Sequence, residues 1–278
     1  MTSSGQSKGA TATDPLPNRG GGLLAFASIA IVTYLLASPC LAEESIAAAQ
    51  PVLVYQVVDA KTKAPLYSIE GWNEPVANHP DQVATLTKII FPRGNVLQQW
   101  SVFVDDDPPR LLSWGAGVRD PKGDEVASGY ALVRQDAFPF LDRPLPPYTY
   151  PPEAPLAYVV TRLGLGSRRE RTSMNLVLMG LSVVELQVWV DGHERVTVPA
   201  GTFNTHVVRM RVTADSLFPN LPGFVRRFAS FFIPTQTVWL TENEPQRLVK
   251  FVGQMGPPGS PDLLIQLANV VERETGEK

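Results

Sequence analysis

The feature that most constrains this chain is a two-residue alternation of apolar and polar side chains that recurs along its length. It is clearest in Ser182–Val190, where positions 184, 186, 188 and 190 are all valine or leucine. This is the period of a half-buried β-strand, because successive side chains of a strand point to opposite faces of the sheet. The same pattern over Gln82–Phe91 and Thr235–Thr241 predicts further strands. The chain is therefore predicted to be mainly β.

Two short turn signals set the predicted connections in the second half. The dipeptide Asp191-Gly192 follows the alternating segment and is the strongest short-range signal of a hairpin. Pro199–Gly201 predicts a second tight turn, in which Gly201 supplies a positive φ. Two tight turns in succession require antiparallel neighbours, since a parallel pair needs a long crossover.

The fold class follows from the number of strands. The pattern predicts roughly ten to eleven strands without a sequence repeat, which is too many for a flat open sheet. We predict a curved antiparallel sheet that forms a half-barrel or open barrel, with one or two helices. The first helix is predicted over Glu153–Gly164, where Leu156, Val159, Val160 and Leu163 form an apolar stripe of helical spacing.

The N-terminus is typical of an export signal. Residues 1–42 run from a polar segment through the uncharged apolar stretch Leu23–Leu36 to small residues that end at Ala42. The apolar stretch is shorter than the roughly 20 residues of a membrane span, so cleavage is the favoured prediction. The alternatives are an uncleaved N-terminal anchor and a lipoprotein modified at Cys40.

Residues 43–278 are predicted to form one β domain. The proline-rich stretch 138–155 interrupts it and is typical of either a domain linker or a long surface crossover. We favour the crossover, because the strand pattern resumes after it with the same character.

Composition and motifs exclude several classes of function. The formal net charge of −3 provides no basic surface for nucleic acid. Cys40 is the only cysteine, and cleavage after Ala42 would leave no disulfide or thiolate. Residues 43–278, which follow the export signal, contain no G-x-S-x-G nucleophile motif. We predict no catalytic residue and no cofactor, with a hydrolase that lacks a visible motif as the enzyme alternative.

No metal site is predicted either. His193 and His206 are near enough in the predicted hairpins to meet, but a metal would need a third ligand. The favoured interpretation is a solvated His193 and a His206 that is a lone polar group. Asp105–Asp107 offers carboxylates without the spacing of a calcium loop, so a solvated loop is favoured.

The stretch Leu217–Pro234 carries the most functional content. Helical spacing places Phe224, Phe228, Phe231 and Phe232 on one face, with Arg226-Arg227 elsewhere. Such a helix is typical of contact with an anionic membrane surface or with a lipid cavity. The structural alternative is a helix that plugs the open side of the half-barrel and buries its phenylalanines.

The second half also resembles a known family. The hairpin G-x-E-x-V-x-V-P-A-G-T-F over Gly192–Phe203 is followed by Trp239-Leu240 and Leu248–Lys250. Over residues 182–270 this is similar to an exported bacterial domain family of unknown function. That family in turn resembles the lipoprotein-carrier (Lol-type) half-barrels, in which a curved sheet wraps over helices. The resemblance implies a fold and an exported location, and it implies no activity.

We therefore predict an exported protein of the periplasm or cell envelope that binds or carries a lipid or other apolar ligand on the concave face of its sheet. The alternative is a structural or assembly protein that acts through a partner surface. A carrier needs an apolar pocket of several hundred Å³, whereas a scaffold fills that face with its own side chains. The predicted ligand-binding residues are Phe224, Phe228, Phe231, Trp189, Met210 and Trp239.

Overall fold

One sheet carries most of the regular structure in the part of the chain that the computed structural model describes. That part comprises residues 50–132, 146–151, 156–163, 165, 171–178, 182–254 and 260–273. Its strands are Val52–Asp59 (β1), Pro65–Val76 (β2), His79–Ile90 (β3), Val96–Val104 (β4), Arg110–Arg119 (β5), Glu125–Leu132 (β6), Thr149–Tyr150 (β7), Arg171–Leu178 (β8), Ser182–Val198 (β9), Gly201–Val212 (β10), Gln236–Thr241 (β11), Leu248–Gln254 (β12) and Asp262–Val271 (β13). The helices are Leu156–Thr161 (α1), Ala214–Leu217 (α2) and Gly223–Ala229 (α3), and a 3-10 turn spans Ser230–Phe232.

The strand order joins two meanders side by side. It runs β6-β5-β4-β3-β2-β1-β13-β12-β11-β10-β9-β8-β7, so that the first and last strands pair in the middle of the sheet. The prediction of a mainly β, open and curved sheet is confirmed. One detail differs, because β7 pairs with β8 in parallel and the sheet is therefore mixed. The edge strands β6 and β7 do not pair with each other, so the sheet stays unclosed.

The sheet curls strongly in its second half. The backbone N–H of Ala200, at the tip of the β9–β10 hairpin, donates to the carbonyl oxygen of Leu267 in β13 at 3.1 Å. Two strands, β11 and β12, lie between these elements in the strand order. A flat sheet would hold them about 10 Å or more apart, since neighbouring strands are spaced by roughly 4.8 Å. The curvature predicted from the strand number is therefore present.

Helix α1 fills the interior of the curled sheet. Val159 and Val160 are fully buried, and Leu163 is buried just beyond the helix. They belong to the same apolar cluster as Phe103 of β4 and Met174 of β8. The predicted helix is confirmed over Leu156–Thr161, and the predicted residues 153–155 lie outside the described part of the chain.

Aromatic side chains join the two ends of the open sheet. The Tyr150 hydroxyl, in edge strand β7, donates to the carbonyl oxygen of Pro109 between β4 and β5 at 2.7 Å. The ring of Phe103 lies 6.4 Å from that of Tyr150 and 5.2 Å from that of Tyr158. Tyr158 also donates to Asp105 Oδ1 at 2.9 Å, and Arg162 forms an ion pair with the same carboxylate. We call this set of side chains the aromatic seam.

The predicted hairpin at Asp191-Gly192 is wrong. β9 continues without a break from Ser182 to Val198, and β10 pairs with both of its halves. The register shifts at this point, because Val207 pairs with Gly192 and Val208 pairs with Val190, so that Asp191 is the extra residue of β9. The dipeptide therefore forms a β-bulge in one long strand. A hairpin at this point would lose the pairing of β9 with β10 on one side of the dipeptide.

The predicted turn at Pro199–Gly201 is confirmed. The turn separates β9 from β10. Gly201 has a φ of 136°, a backbone conformation that residues with a Cβ rarely adopt. Two other predicted segments are not described in full. Residues 1–42 lie outside the described part of the chain, and so do 138–145 and 152–155 of the proline-rich stretch.

Alkaline pH is expected to destabilise the fold. Burial raises the pKa of the phenols of Tyr55, Tyr150 and Tyr158 well above their ordinary value of about 10. The folded chain keeps these protons when the unfolded chain loses them, so the stabilisation is complete below about pH 10 and falls as the pH rises further. Urea titrations at pH values on either side of about 10 measure the loss of unfolding free energy. The Tyr150→Phe variant should show a smaller loss. A free energy of unfolding that stays constant through this range would contradict the assignment.

Candidate functional site

The segment between β10 and β11 leaves the sheet as two short helices. Thr213 begins α2 as its N-cap, and its Oγ1 accepts from the Ser216 backbone N–H at 3.3 Å. The Ser216 hydroxyl in turn accepts from the Glu185 backbone N–H of β9 at 2.9 Å, which fastens α2 to the sheet. Pro222, with its fixed φ, precedes α3 and favours its start. The segment is therefore fixed at its base and projects from the sheet.

Four phenylalanines of this segment face solvent. Phe224 is 78% exposed, Phe228 65%, Phe231 78% and Phe232 72%, and the rings of Phe228 and Phe232 pack edge to face at 5.3 Å. Single exposed apolar residues are ordinary, but four large ones within nine residues form an exposed apolar patch of a kind that is uncommon on monomeric proteins. The alternative that this helix buries its phenylalanines against the sheet is wrong. We call these four residues the phenylalanine patch.

A cleft rich in arginine lies between the same helices and the outward face of β8–β10. Its volume is about 500 Å³. Trp189 forms part of its wall, and the Arg171 guanidinium lies 5.0 Å from the centre of that ring. We call it the arginine cleft, and its charged residues are Arg171, Arg211, Arg226 and Arg227 with Glu185 and Asp215.

The arginines of this cleft are incompletely paired. Arg226 Nη1 lies 3.3 Å from Asp215 Oδ1, while its buried Nε has no hydrogen-bond partner among the described residues. Arg171 donates to the neutral Gln187 side chain at 3.2 Å. Neither Arg211 nor Arg227 forms a salt bridge with a residue in the described ranges. Four arginines facing two carboxylates leave the cleft positive and able to accept an anion.

The predicted ligand-binding residues are divided between two faces of the sheet. Trp189 pairs with Arg209 and lines the arginine cleft on the outward face. Met210 follows Arg209 in β10, so it points to the opposite face, where it is 1% exposed within the apolar core. Trp239 is half-buried, donates to Glu194 Oε2 at 2.8 Å and lies beneath the Lys250 ammonium. The structure therefore places Trp189 next to the helices that carry the phenylalanine patch. Met210 and Trp239 lie elsewhere on the sheet.

The interior of the curled sheet is occupied by the chain itself. Side chains of α1 pack there with Tyr150 and Phe103. Two clefts formed by the described residues are open to solvent and include charged side chains in their linings. The second cleft, of about 580 Å³, lies along β2–β4 and includes Lys88 and Arg119. The segment between β10 and β11 combines large exposed apolar side chains with an adjacent charged cleft.

Two candidate metal sites that the sequence did not favour have clear outcomes, and the interpretation of His206 as a lone polar group is wrong. Asp105–Asp107 is exposed as predicted, and Asp105 serves the aromatic seam. His193 and His206 do meet, with ring centroids 4.8 Å apart. The sequence did not reveal Glu242, which brings Oε1 to 2.7 Å from His193 Nδ1. These three are a group of side chains that could hold a metal ion in the described part of the chain.

Comparisons with known proteins give no family assignment. No family model matches the chain. No curated protein matches it either. The predicted resemblance to an exported family of unknown function therefore stays a prediction.

Solved structures offer distant matches. A β-barrel-like protein of the domain of unknown function DUF1849 from Brucella abortus has a TM-score of 0.46 and 11% identity, covering 82% of this chain and 99% of its own. A protein provisionally described as a lipoprotein, from Parabacteroides distasonis, has a TM-score of 0.34 and 11% identity, covering 80% and 95%. A protein provisionally described as exported, with a YmcC-like fold, from Bacteroides fragilis has a TM-score of 0.34 and 9% identity over the same shares. Scores this low carry no argument about function.

Within the described ranges, none of the helices has the length and apolar character needed to cross a bilayer.

Proposed function

We propose that this protein is an exported envelope protein that binds the surface of an anionic membrane. The phenylalanine patch enters the interfacial region of the bilayer, and the arginine cleft takes the phosphate of a lipid head group. The observation that carries the proposal is the exposure of four phenylalanines on one short helical segment. The export part of the proposal rests on the signal predicted in residues 1–42.

The energetics favour a membrane over solvent for this segment. Burying a phenylalanine side chain is worth about 2 kcal/mol, so even partial insertion of four rings provides several kcal/mol. Each arginine near an anionic surface adds about 1 kcal/mol. A rigid β scaffold that presents an apolar, basic segment is typical of proteins that bind the membrane interface.

Charge distinguishes a membrane from the alternative of a protein partner. Arg226 and Arg227 lie on the same helix as Phe224 and Phe228, so the apolar and basic contacts are presented together. Head groups of an anionic bilayer offer phosphates directly beside an apolar region, which matches this arrangement. Lipid carriage on the concave face receives less support, because α1 occupies the interior.

Replacing two patch residues is expected to abolish most of the binding. Phe224→Asp/Phe228→Asp should weaken co-flotation with phosphatidylglycerol-containing vesicles by at least about tenfold, since 1.4 kcal/mol corresponds to a factor of ten. Thermal unfolding should change little, because both side chains are exposed. The matched control is Val126→Asp, which adds the same charge at an apolar residue that is 67% exposed on β6. All variants keep the N-terminal segment, so that any contribution from it is common to them.

The arginine contribution is tested in the same assay. Arg226→Glu/Arg227→Glu should reduce binding to anionic vesicles and leave binding to phosphatidylcholine vesicles unchanged. Arg93→Glu, in the exposed β3–β4 turn, should leave binding to both kinds of vesicle unchanged. Equal binding of wild type and both double variants would overturn the proposal. Patch-dependent binding to a protein, with no affinity for vesicles, would support the partner alternative.

A further inference from the structure

We infer that His193, His206 and Glu242 form a binding site for a divalent transition metal of the zinc class. The inference is independent of the proposed membrane contact, because it rests on different residues and a different part of the sheet. Each residue offers one ligand atom, and the three atoms lie within 4.8 Å of one another.

Backbone pairing fixes the positions of the two histidines. His193 in β9 lies directly opposite His206 in β10, and the ring centroids are 4.8 Å apart. Side chains of directly opposed residues in an antiparallel pair project on the same side of the sheet. The Pro199–Gly201 turn determines this register, so the histidine pair is a fixed feature of the hairpin.

Glu242 is brought to the histidines by the strand that follows. It comes directly after β11, and its backbone N–H donates to the Asn204 carbonyl oxygen at 3.1 Å. Its Oε1 then lies 2.7 Å from His193 Nδ1. Three elements, β9, β10 and the end of β11, thus each contribute one ligand.

The ligand set selects the class of metal. Two imidazoles and a carboxylate suit zinc and neighbouring transition metals, whereas calcium and magnesium prefer oxygen ligands alone. Zinc binds these donors at about 2.0–2.2 Å, which brings tetrahedral ligand atoms to about 3.3 Å from each other. The three ligand atoms of this site lie within 4.8 Å of one another. Small rotations of the side chains bring them to the separation that a bound zinc ion requires.

The surroundings permit those rotations and leave a coordination position open. The side chain of His193 is 61% exposed, so its ring can turn toward a metal from solvent. The exposed contact between His193 Nδ1 and Glu242 Oε1 is worth little by itself and is readily exchanged for metal coordination. Three protein ligands leave a fourth position for water or a substrate, as in open zinc sites.

Zinc titration of the untagged full chain tests the inference. Isothermal titration calorimetry is expected to show one Zn²⁺ per chain, and Co²⁺ should give the visible absorption of a bound ion. His206→Ala and Glu242→Gln should each weaken binding by at least about tenfold, which is about 1.4 kcal/mol. The metal should also raise the unfolding temperature of the wild type in a concentration-dependent way.

Matched controls are available in this chain. His79 is the one histidine outside the cluster, and Cys40 is the only cysteine. His79→Ala and Cys40→Ser are expected to bind zinc like the wild type. Absence of stoichiometric uptake by the folded wild type would overturn the inference. Equal weakening by His79→Ala and His206→Ala would do so as well, since it would show adventitious binding to single histidines.

Discussion

Replacing Phe103 by alanine is expected to lower the free energy of unfolding by about 3–5 kcal/mol. The side chain is 0% exposed and contacts the rings of Tyr150 and Tyr158 in the aromatic seam. Its removal leaves a cavity between β4, β7 and α1, which the surrounding backbone is too constrained to fill. Urea unfolding followed by tryptophan fluorescence measures the change.

Tyr150→Phe is the comparison that isolates the hydrogen bond of the seam. It keeps the ring and removes the donor to Pro109, so the expected loss is about 1–3 kcal/mol, the cost of an unsatisfied buried acceptor. Substitutions at exposed sites cost less than about 1 kcal/mol of unfolding free energy. If Phe103→Ala cost no more than this, the aromatic seam would not hold the two ends of the sheet together.

Gly115→Ala is expected to destabilise the sheet by about 1–3 kcal/mol through overpacking. A Cβ at this position of β5 would lie 2.1 Å from Cζ2 of Trp100 and 2.8 Å from the carbonyl oxygen of Gly129. The tryptophan ring can move at a cost, but the carbonyl belongs to the paired backbone of β6. Chemical denaturation of the variant against the wild type gives the size of the effect.

Gly129 in β6 provides the matched control, because a Cβ built there meets nothing within 4 Å. Gly129→Ala should therefore cost far less than Gly115→Ala, although both residues lie within strands. Adding Trp100→Ala to Gly115→Ala should recover part of the loss, since the two positions contact each other and their effects are not additive. If the two glycine variants were equally stable, the close approach of Trp100 would be refuted.

Strands with strong alternation were predictable from sequence alone. β11 was predicted over Thr235–Thr241 and is observed over Gln236–Thr241, and the predicted strand Ser182–Val190 is observed as the first half of β9. Their apolar faces meet the core, so the local pattern and the tertiary environment agree. β2 was missed, because Gly71 and Pro75 weaken its strand propensity and most of its residues are half-buried on both faces.

Features that depend on distant pairing were not predictable. The Asp191-Gly192 dipeptide has the local chemistry of a turn, but pairing of β9 with β10 on both sides of it outweighs that preference. Arg171 and Asp215 meet in the arginine cleft only because β8 lies beside β9 in the sheet. Glu242 lies beside His193, 49 positions away in the sequence, because β11 pairs with β10 in the sheet. Helical spacing did predict that the phenylalanines share a face, and it carries no information on whether solvent or protein covers that face.

The pairing of the first strand with the last has a consequence for connectivity. Val52 at the start of β1 lies opposite Val271 at the end of β13, so these two points of the chain are neighbours in space. In topological terms, the described strands other than β7 form one up-and-down antiparallel ribbon that starts at β8, passes from β13 to β1 and ends at β6, and β7 is added in parallel at its edge. A circular permutant that joins these points and opens the chain between β6 and β7 would traverse the strands in strict spatial order. The natural connectivity instead pairs residues far apart in sequence in the middle of the sheet, which raises the contact order, and a higher contact order goes with slower folding.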